Sequence, residues 1–145
     1  MDLEERFSYA LHNTARAWRQ EIDRRLKDLG LSQASWMAIA TLAKAEPLSQ
    51  TELASRLGVE DPTMVSMIDR MVKAGYMARQ PSEKDRRVKL VHLTDDGRAI
   101  YQRVKAAADP VRRELLCDVD RAELERVTVL LESLNARLNQ TDGCA

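Results

Sequence analysis

Ser49-Gln50-Thr51-Glu52-Leu53-Ala54-Ser55-Arg56-Leu57-Gly58-Val59-Glu60-Asp61-Pro62-Thr63-Met64-Val65-Ser66-Met67-Ile68-Asp69-Arg70-Met71-Val72-Lys73 is the stretch that decides the fold. Ser49 and Glu52 have the spacing of a capping box, in which each side chain satisfies the other residue's free backbone N–H. The box opens a short helix over 50–57 with Leu53, Ala54 and Leu57 on its apolar side. Gly58 suits the left-handed position that ends such a helix. Asp61 is a good N-cap, and Pro62 at the first helical position gives up no needed hydrogen bond. A second helix therefore runs over 61–74 and ends at Gly75, with Met64, Val65, Ile68, Met71 and Val72 as its expected buried face. Two short helices joined by a tight glycine turn make a helix-turn-helix.

The hydrophobic period then changes. Tyr76–Gln80 has the pattern of a short strand, residues 81–87 are a polar turn, and Val88–Leu93 is an aliphatic returning strand. A hairpin with a basic tip directly after a helix-turn-helix is a winged helix. Helix 61–74 is then placed to enter the major groove of DNA, and wing 81–88 the adjacent minor groove.

Upstream, Leu3, Phe7, Leu11, Ala15, Trp18, Ile22, Leu26 and Leu29 form one helical stripe that stops at Gly30. Ser32 caps a second helix carrying Trp36, Ile39, Ala40 and Ala43, which ends near Pro47. Downstream, Thr94 caps a fifth helix bearing Ile100, Tyr101, Val104, Ala107, Val111 and Leu115, with a kink expected at Pro110. Asp120 and Glu123 cap a sixth with Leu124, Val127, Leu131, Leu134 and Leu138 on one face, and Asn139–Ala145 is expected to fray. The fold class is mainly α with a small β-hairpin, and 1–145 forms a single domain.

Composition narrows the function. The chain has 145 residues, 44% hydrophobic and 32% charged, with 5 Gly and 4 Pro. That excludes disorder and collagen-like design. Aromatics at 4% argue against stacking platforms for single strands. Cys117 and Cys144 supply neither a disulfide framework nor a zinc site. No cofactor or metal-ligand spacing, nucleophile motif or Gly-rich phosphate loop occurs, and His12 and His92 have no plausible catalytic partners in sequence, so an enzyme is not expected. No apolar run approaches the roughly 18 residues of a membrane span, and the acidic N-terminus is unlike a signal peptide, so a cytoplasmic protein is expected.

Formal net charge is +0, which hides an uneven distribution. Residues 62–93 carry seven basic and three acidic side chains, a balance of +4, whereas 31–61 and 94–145 are each at −2. The basic island coincides with the second helix of the helix-turn-helix and the wing.

The element order, together with particular residues, resembles the MarR family of winged-helix regulators, and within it the SlyA branch. The resemblance rests on Trp18-Arg19 with Ile22-Asp23 and Arg25-Leu26, on Leu31-Ser32-Gln33 with Trp36, and on Leu53-Ala54 with Leu57-Gly58. It continues through Met64-Val65 with Ile68-Asp69 and Met71, Gly75-Tyr76, Asp85-Arg86-Arg87, and Lys89-Leu90 with Leu93-Thr94 and Gly97. It covers about residues 5–140.

Candidate DNA contacts follow from position. Opposite the expected core face, helix 61–74 presents Thr63, Ser66, Met67, Arg70 and Lys73. Thr63 and Ser66 are permissive hydroxyl readers, and Arg70 can pair bidentately with guanine. Pro62 can touch a thymine methyl, and Ser49, Gln50 and Thr51 bring backbone N–H groups toward a phosphate. Asp85 and Arg87 are two apart and share a strand face, so the carboxylate can hold the guanidinium. The resemblance implies that the arginine of this Asp-x-Arg pattern enters the minor groove, with Arg86 as a second wing or phosphate contact. Plainer roles remain open: helix N-terminal chemistry for Thr63 and Ser66, a solvated or paired charge for Arg70, and a surface ion pair for Asp85 and Arg87.

Helices over 1–30 and 95–140 hold more apolar surface than the winged helix over 31–94 can cover. A symmetric homodimer is expected, its recognition helices about 34–36 Å apart on a pseudo-palindromic operator. The resemblance further implies repression and release from DNA by a small aromatic acid or phenolic effector. Candidate effector residues are His12, Arg16 and Arg19 on the first helix and Trp36 on the second. Trp36 also suits a core position, His12 a surface or dimer contact, and the two arginines solvent or intradimer pairing. The competing classes are a winged-helix protein that binds DNA without an effector and a helical protein-interaction module.

Overall fold

The structure, a computed structural model, describes residues 1–141. Its elements are α1 (Leu3–Arg25), a 3₁₀ turn (Lys27–Leu29), α2 (Gln33–Ala45), β1 (Leu48–Ser49), α3 (Gln50–Leu57), α4 (Asp61–Lys73), β2 (Met77–Pro81), β3 (Lys89–Leu93), α5 (Asp95–Leu116) and α6 (Arg121–Thr141). They form a mainly helical winged-helix fold with a small antiparallel sheet. The chain divides into two compact units, Met1–Val111 and the residues from Arg112 onward.

Local chemistry sets most of the helix starts in the first unit. The Ser35 N–H donates to Ser32 Oγ at 3.2 Å and opens α2. The Glu52 N–H donates to Ser49 Oγ at 3.1 Å and opens α3, one half of the expected box. Gly58 sits at φ 64 and ends α3 in the left-handed region, where a Cβ would be strained. The first helix differs from expectation: regular α-geometry stops at Arg25, and a 3₁₀ turn completes the path to Gly30.

The start of α4 is also corrected. Its N-cap is Glu60, which makes no side-chain cap bond, so Asp61 and Pro62 are already helical. The reason lies one turn further on. Met64 is fully buried, and its N–H finds an acceptor in the Glu60 carbonyl at 3.0 Å, drawing the helix one residue earlier.

The sheet has three strands in the order β1-β3-β2. β2 and β3 form the hairpin, with Met77 opposite Leu93, Arg79 opposite Val91 and Pro81 opposite Lys89. The two-residue β1 was not foreseen; it pairs Leu48 with Val91 and Ser49 with Leu90. Against the expected bounds, β2 begins and ends one residue later and β3 begins one residue later.

One core joins α2, α3, α4 and the sheet through residues such as Ile39, Leu42, Leu53, Met64, Ile68 and Val91. A second gathers Ile22 and Leu26 of α1, Trp36 of α2, and Val104, Ala108 and Val111 of α5. Thr94 ties the end of the sheet to α5. Its hydroxyl donates to the Gly75 carbonyl at 2.6 Å and accepts from the Gly97 N–H at 3.0 Å. Glu46 accepts from the Leu93 N–H at 2.7 Å and pairs with Arg98. α5 runs through Pro110 to Leu116.

In the second unit, the Glu123 N–H donates to Asp120 Oδ2 at 3.0 Å and starts α6. Leu124 and Leu134 are half-buried, while Val127, Val129, Leu130 and Leu131 are exposed. Asn139–Thr141 continue α6 where fraying was expected. Cys144 and the rest of the expected frayed tail lie outside the described residues, and Cys117 is exposed.

Candidate nucleic-acid interface

α4 buries Met64, Met67, Ile68 and Met71. Met67, expected on the reading face, is 1% exposed, and Val65, expected in the core, is 38% exposed. The correction is one of helical phase. Met67 lies three residues from Met64 and four from Met71, so the three share a stripe, and Val65 falls at its edge. The exposed surface of α4 is Asp61, Pro62, Thr63, Val65, Ser66, Asp69, Arg70 and Lys73. Of the α4 residues singled out from the sequence, Pro62, Thr63, Ser66, Arg70 and Lys73 are on it and Met67 is not.

The wing tip is shaped by backbone bonds: the Ser82 N–H donates to the Val88 carbonyl at 2.9 Å and the Val88 N–H to the Asp85 carbonyl at 3.0 Å. Asp85 Oδ1 accepts from the Arg87 backbone N–H at 3.0 Å and from Arg87 Nε at 3.1 Å, and Asp85 Oδ2 accepts from Arg87 Nη2 at 3.3 Å. These bonds, the side-chain one first, hold the Asp85 carboxyl below its ordinary range. Arg87 is 91% exposed on its side chain, so its fork is oriented yet fully presented to solvent. Arg86 is exposed beside it.

An open groove of about 720 Å³ lies between the start of α3 and the wing, with Ser49 and Thr51 on one side and Ser82, Lys84 and Val88 on the other. It brings Ser49 to the wing base. Gln50 is committed elsewhere: its Oε1 accepts from Arg79 Nε at 2.7 Å. Arg79 Nη2 also donates to Asp69 Oδ1 at 2.5 Å. Sequence reasoning counted Arg79 only as charge and assigned Asp69 no role. The signal that could have found them is strand alternation, since Arg79 shares a face with Met77, which is buried. A charged residue on a core-facing strand position demands partners. Within the basic island Arg79 is thus balanced by Asp69, and the exposed cations are Arg70, Lys73, Lys84, Arg86, Arg87 and Lys89.

The candidate effector residues are not all brought together. Trp36 is 6% exposed, and its indole Nε1 donates to Asp23 Oδ1 at 3.0 Å. It is an interior residue of this chain. Arg19, half-buried on α1, lies one turn before Asp23. His12 is exposed, eleven residues before Asp23 and so roughly 16 Å along the helix. Arg16 is exposed, and its Nη2 donates to Asn13 Oδ1 at 3.3 Å. Among the described residues no group of three or more His, Cys, Asp or Glu could hold a metal ion, and no helix is long and apolar enough to cross a membrane.

The sequence model of the MarR family matches residues 31–89, which include the helix-turn-helix and the wing tip. Among solved structures, the transcriptional regulator PA3341 is 36% identical, with a TM-score of 0.83 over 92% of this chain and 98% of that one. The transcriptional regulator BldR from Sulfolobus solfataricus is 26% identical, with a TM-score of 0.73 over 97% of this chain and 99% of that one. A mutant MarR from E. coli complexed with operator DNA is 23% identical, with a TM-score of 0.73 over 92% and 99% of the two chains, a likeness of fold.

Proposed function

This chain belongs to the MarR family, and we propose that it is a homodimeric repressor that reads a pseudo-palindromic operator and lets go of it when a small aromatic acid or phenol binds. The observation that carries the reading is the Asp85–Arg87 pair, which holds an arginine in one orientation while leaving it 91% exposed at the wing tip. Narrow A·T-rich minor grooves concentrate negative potential and favour such an arginine. On α4, Thr63, Ser66 and Arg70 meet base edges in the major groove, with Val65 and Pro62 offering apolar contact to thymine methyls. Ser49, Thr51, Lys84 and Arg86 serve the phosphates.

The dimer is supported by apolar side chains left in solvent. Leu3, Phe7 and Leu11 on α1 and Val127, Leu130 and Leu131 on α6 are all exposed. A second copy of the chain, packing through the helices of 1–30 and 95–140, removes those surfaces from water. For the effector, Arg19 lies one turn before Asp23, whose carboxylate accepts from Trp36, with His12 and Arg16 nearer the start of α1; an arginine there would hold a carboxylate. We extend the reading to the SlyA branch, which the sequence resembles; the support is the set of residues that carry that resemblance.

The test is fluorescence anisotropy of the purified protein on the duplex recovered by selection from a random pool, against a scrambled duplex of equal length. Tight binding to the selected duplex, a two-fold symmetric consensus and release by added salicylate are expected. Equal binding to both duplexes with a steep salt slope overturns the sequence-specific reading. Selected binding that salicylate leaves untouched overturns the proposed aromatic-acid response, with salicylate as its probe, and retains the operator reading.

A further inference from the structure

Given that α4 and the wing bind DNA, we infer that Arg79 is a positioning residue that fixes the recognition helix relative to the wing, and thereby sets sequence discrimination without touching DNA. Arg79 lies on β2, the first strand of the wing, two residues beyond the buried Met77 and opposite the fully buried Val91. From there its guanidinium reaches two other elements. Nε donates to Gln50 at the first position of α3, at 2.7 Å, and Nη2 donates to Asp69 in α4, at 2.5 Å. One planar group therefore bridges the wing strand, the first helix of the helix-turn-helix and the recognition helix. Arginine carries five donors in fixed directions in one rigid plane; a lysine ammonium at the end of a flexible stem does not reproduce that geometry.

The placement of Asp69 gives the bridge its leverage. It lies one turn after Val65, three residues after Ser66 and next to Arg70, so it sits among the residues that meet base edges. Reading two grooves at once requires Ser66 and Arg70 on α4, and Arg87 on the wing, to keep a set separation. The wing joins α4 through the short turn Ala74–Tyr76, and the Arg79 bridge is a second, side-chain tie between the two arms. Arg79 is three-quarters buried on its side chain and paired with a carboxylate, which makes it a poor phosphate ligand in spite of its place in the basic island.

The experiment compares full-length wild type with Arg79→Met, Arg79→Lys and Asp69→Ala on the selected and scrambled duplexes across a salt series, with a thermal melt of each protein. For Arg79→Met and Arg79→Lys, affinity for the selected duplex is expected to fall tenfold or more, while affinity for the scrambled duplex and the salt slope stay within error. Asp69→Ala alters an exposed side chain on a helix and is expected to remain folded; it should lose the same tenfold of discrimination, with scrambled binding unchanged or raised because an acid is gone. Parallel loss on both duplexes with a salt slope reduced by about one identifies Arg79 as a phosphate contact and overturns the inference. A lowered melting temperature with discrimination intact well below it reduces Arg79 to a stabilising residue and overturns it as well. If wild type itself prefers no duplex, the regulator reading has failed and takes this inference down with it, a result distinguishable from the other two because no variant is needed to see it.

Discussion

Asp85 and Arg87 are joined three times over: the carboxylate accepts from the arginine's backbone N–H, its Nε and its Nη2 at 3.0, 3.1 and 3.3 Å. An exposed ion pair contributes little to stability, so this one is better understood as an orienting device. Arg87→Ala is expected to leave the melting temperature unchanged and to weaken operator binding by on the order of 1–3 kcal/mol. Asp85→Ala removes a negative charge from the wing proposed to face DNA, which by charge alone would tighten binding. If orientation governs, selected-duplex affinity falls in Asp85→Ala even as scrambled-duplex affinity rises, and anisotropy titrations on the two duplexes check this.

Gly97 marks a backbone contact that tolerates no side chain. A Cβ there would come within 2.1 Å of the Tyr76 carbonyl oxygen, and that oxygen already accepts from the Thr94 N–H at 3.1 Å. Since the obstacle is main chain, it does not swing aside. Gly97→Ala is expected to cost at least about 1–3 kcal/mol. Urea denaturation would show a lowered midpoint with the slope retained.

Trp36 anchors the second core through both its ring and its N–H. Trp36→Phe keeps most of the apolar volume and strips Asp23 of its donor, for an expected loss of about 1–3 kcal/mol. Trp36→Ala opens a cavity besides and is expected to cost about 3–5 kcal/mol. Chemical denaturation of the two variants separates the hydrogen bond from the packing.

Glu21 carries an acid-side signature. Hydrogen bonds from Arg24 and then Arg25 lower its carboxyl from 4.5 to about 2. A depressed carboxyl favours the folded state above its unfolded value, and that contribution is lost as pH falls through the folded value. Glu21→Gln is therefore expected to flatten the fall in melting temperature between about pH 4.5 and pH 2, with the difference from wild type largest near neutrality. Melting curves of the two proteins across that range test it.

Much of this fold was legible in the sequence because its signals are short-range. Ser32, Ser49, Thr94 and Asp120 cap helices through bonds to residues three positions on, so each cap and the backbone group it satisfies lie within one turn of sequence. Helix 50–57, its glycine stop and the Asp85–Arg87 pair follow from the same locality. Tertiary structure alone decided the rest. The phase of α4, with Met67 in and Val65 out, was set by the stripe packed against α2 and the sheet, since the apolar pattern of α4 allows either residue inward. β1 is two residues long and exists only because β3 offers it an edge. Arg79 finds its partners 29 and 10 residues away, and Glu46 meets the Leu93 N–H across 47. A buried charge announces that it needs a partner, but which partner is settled only when helix and sheet have closed around it.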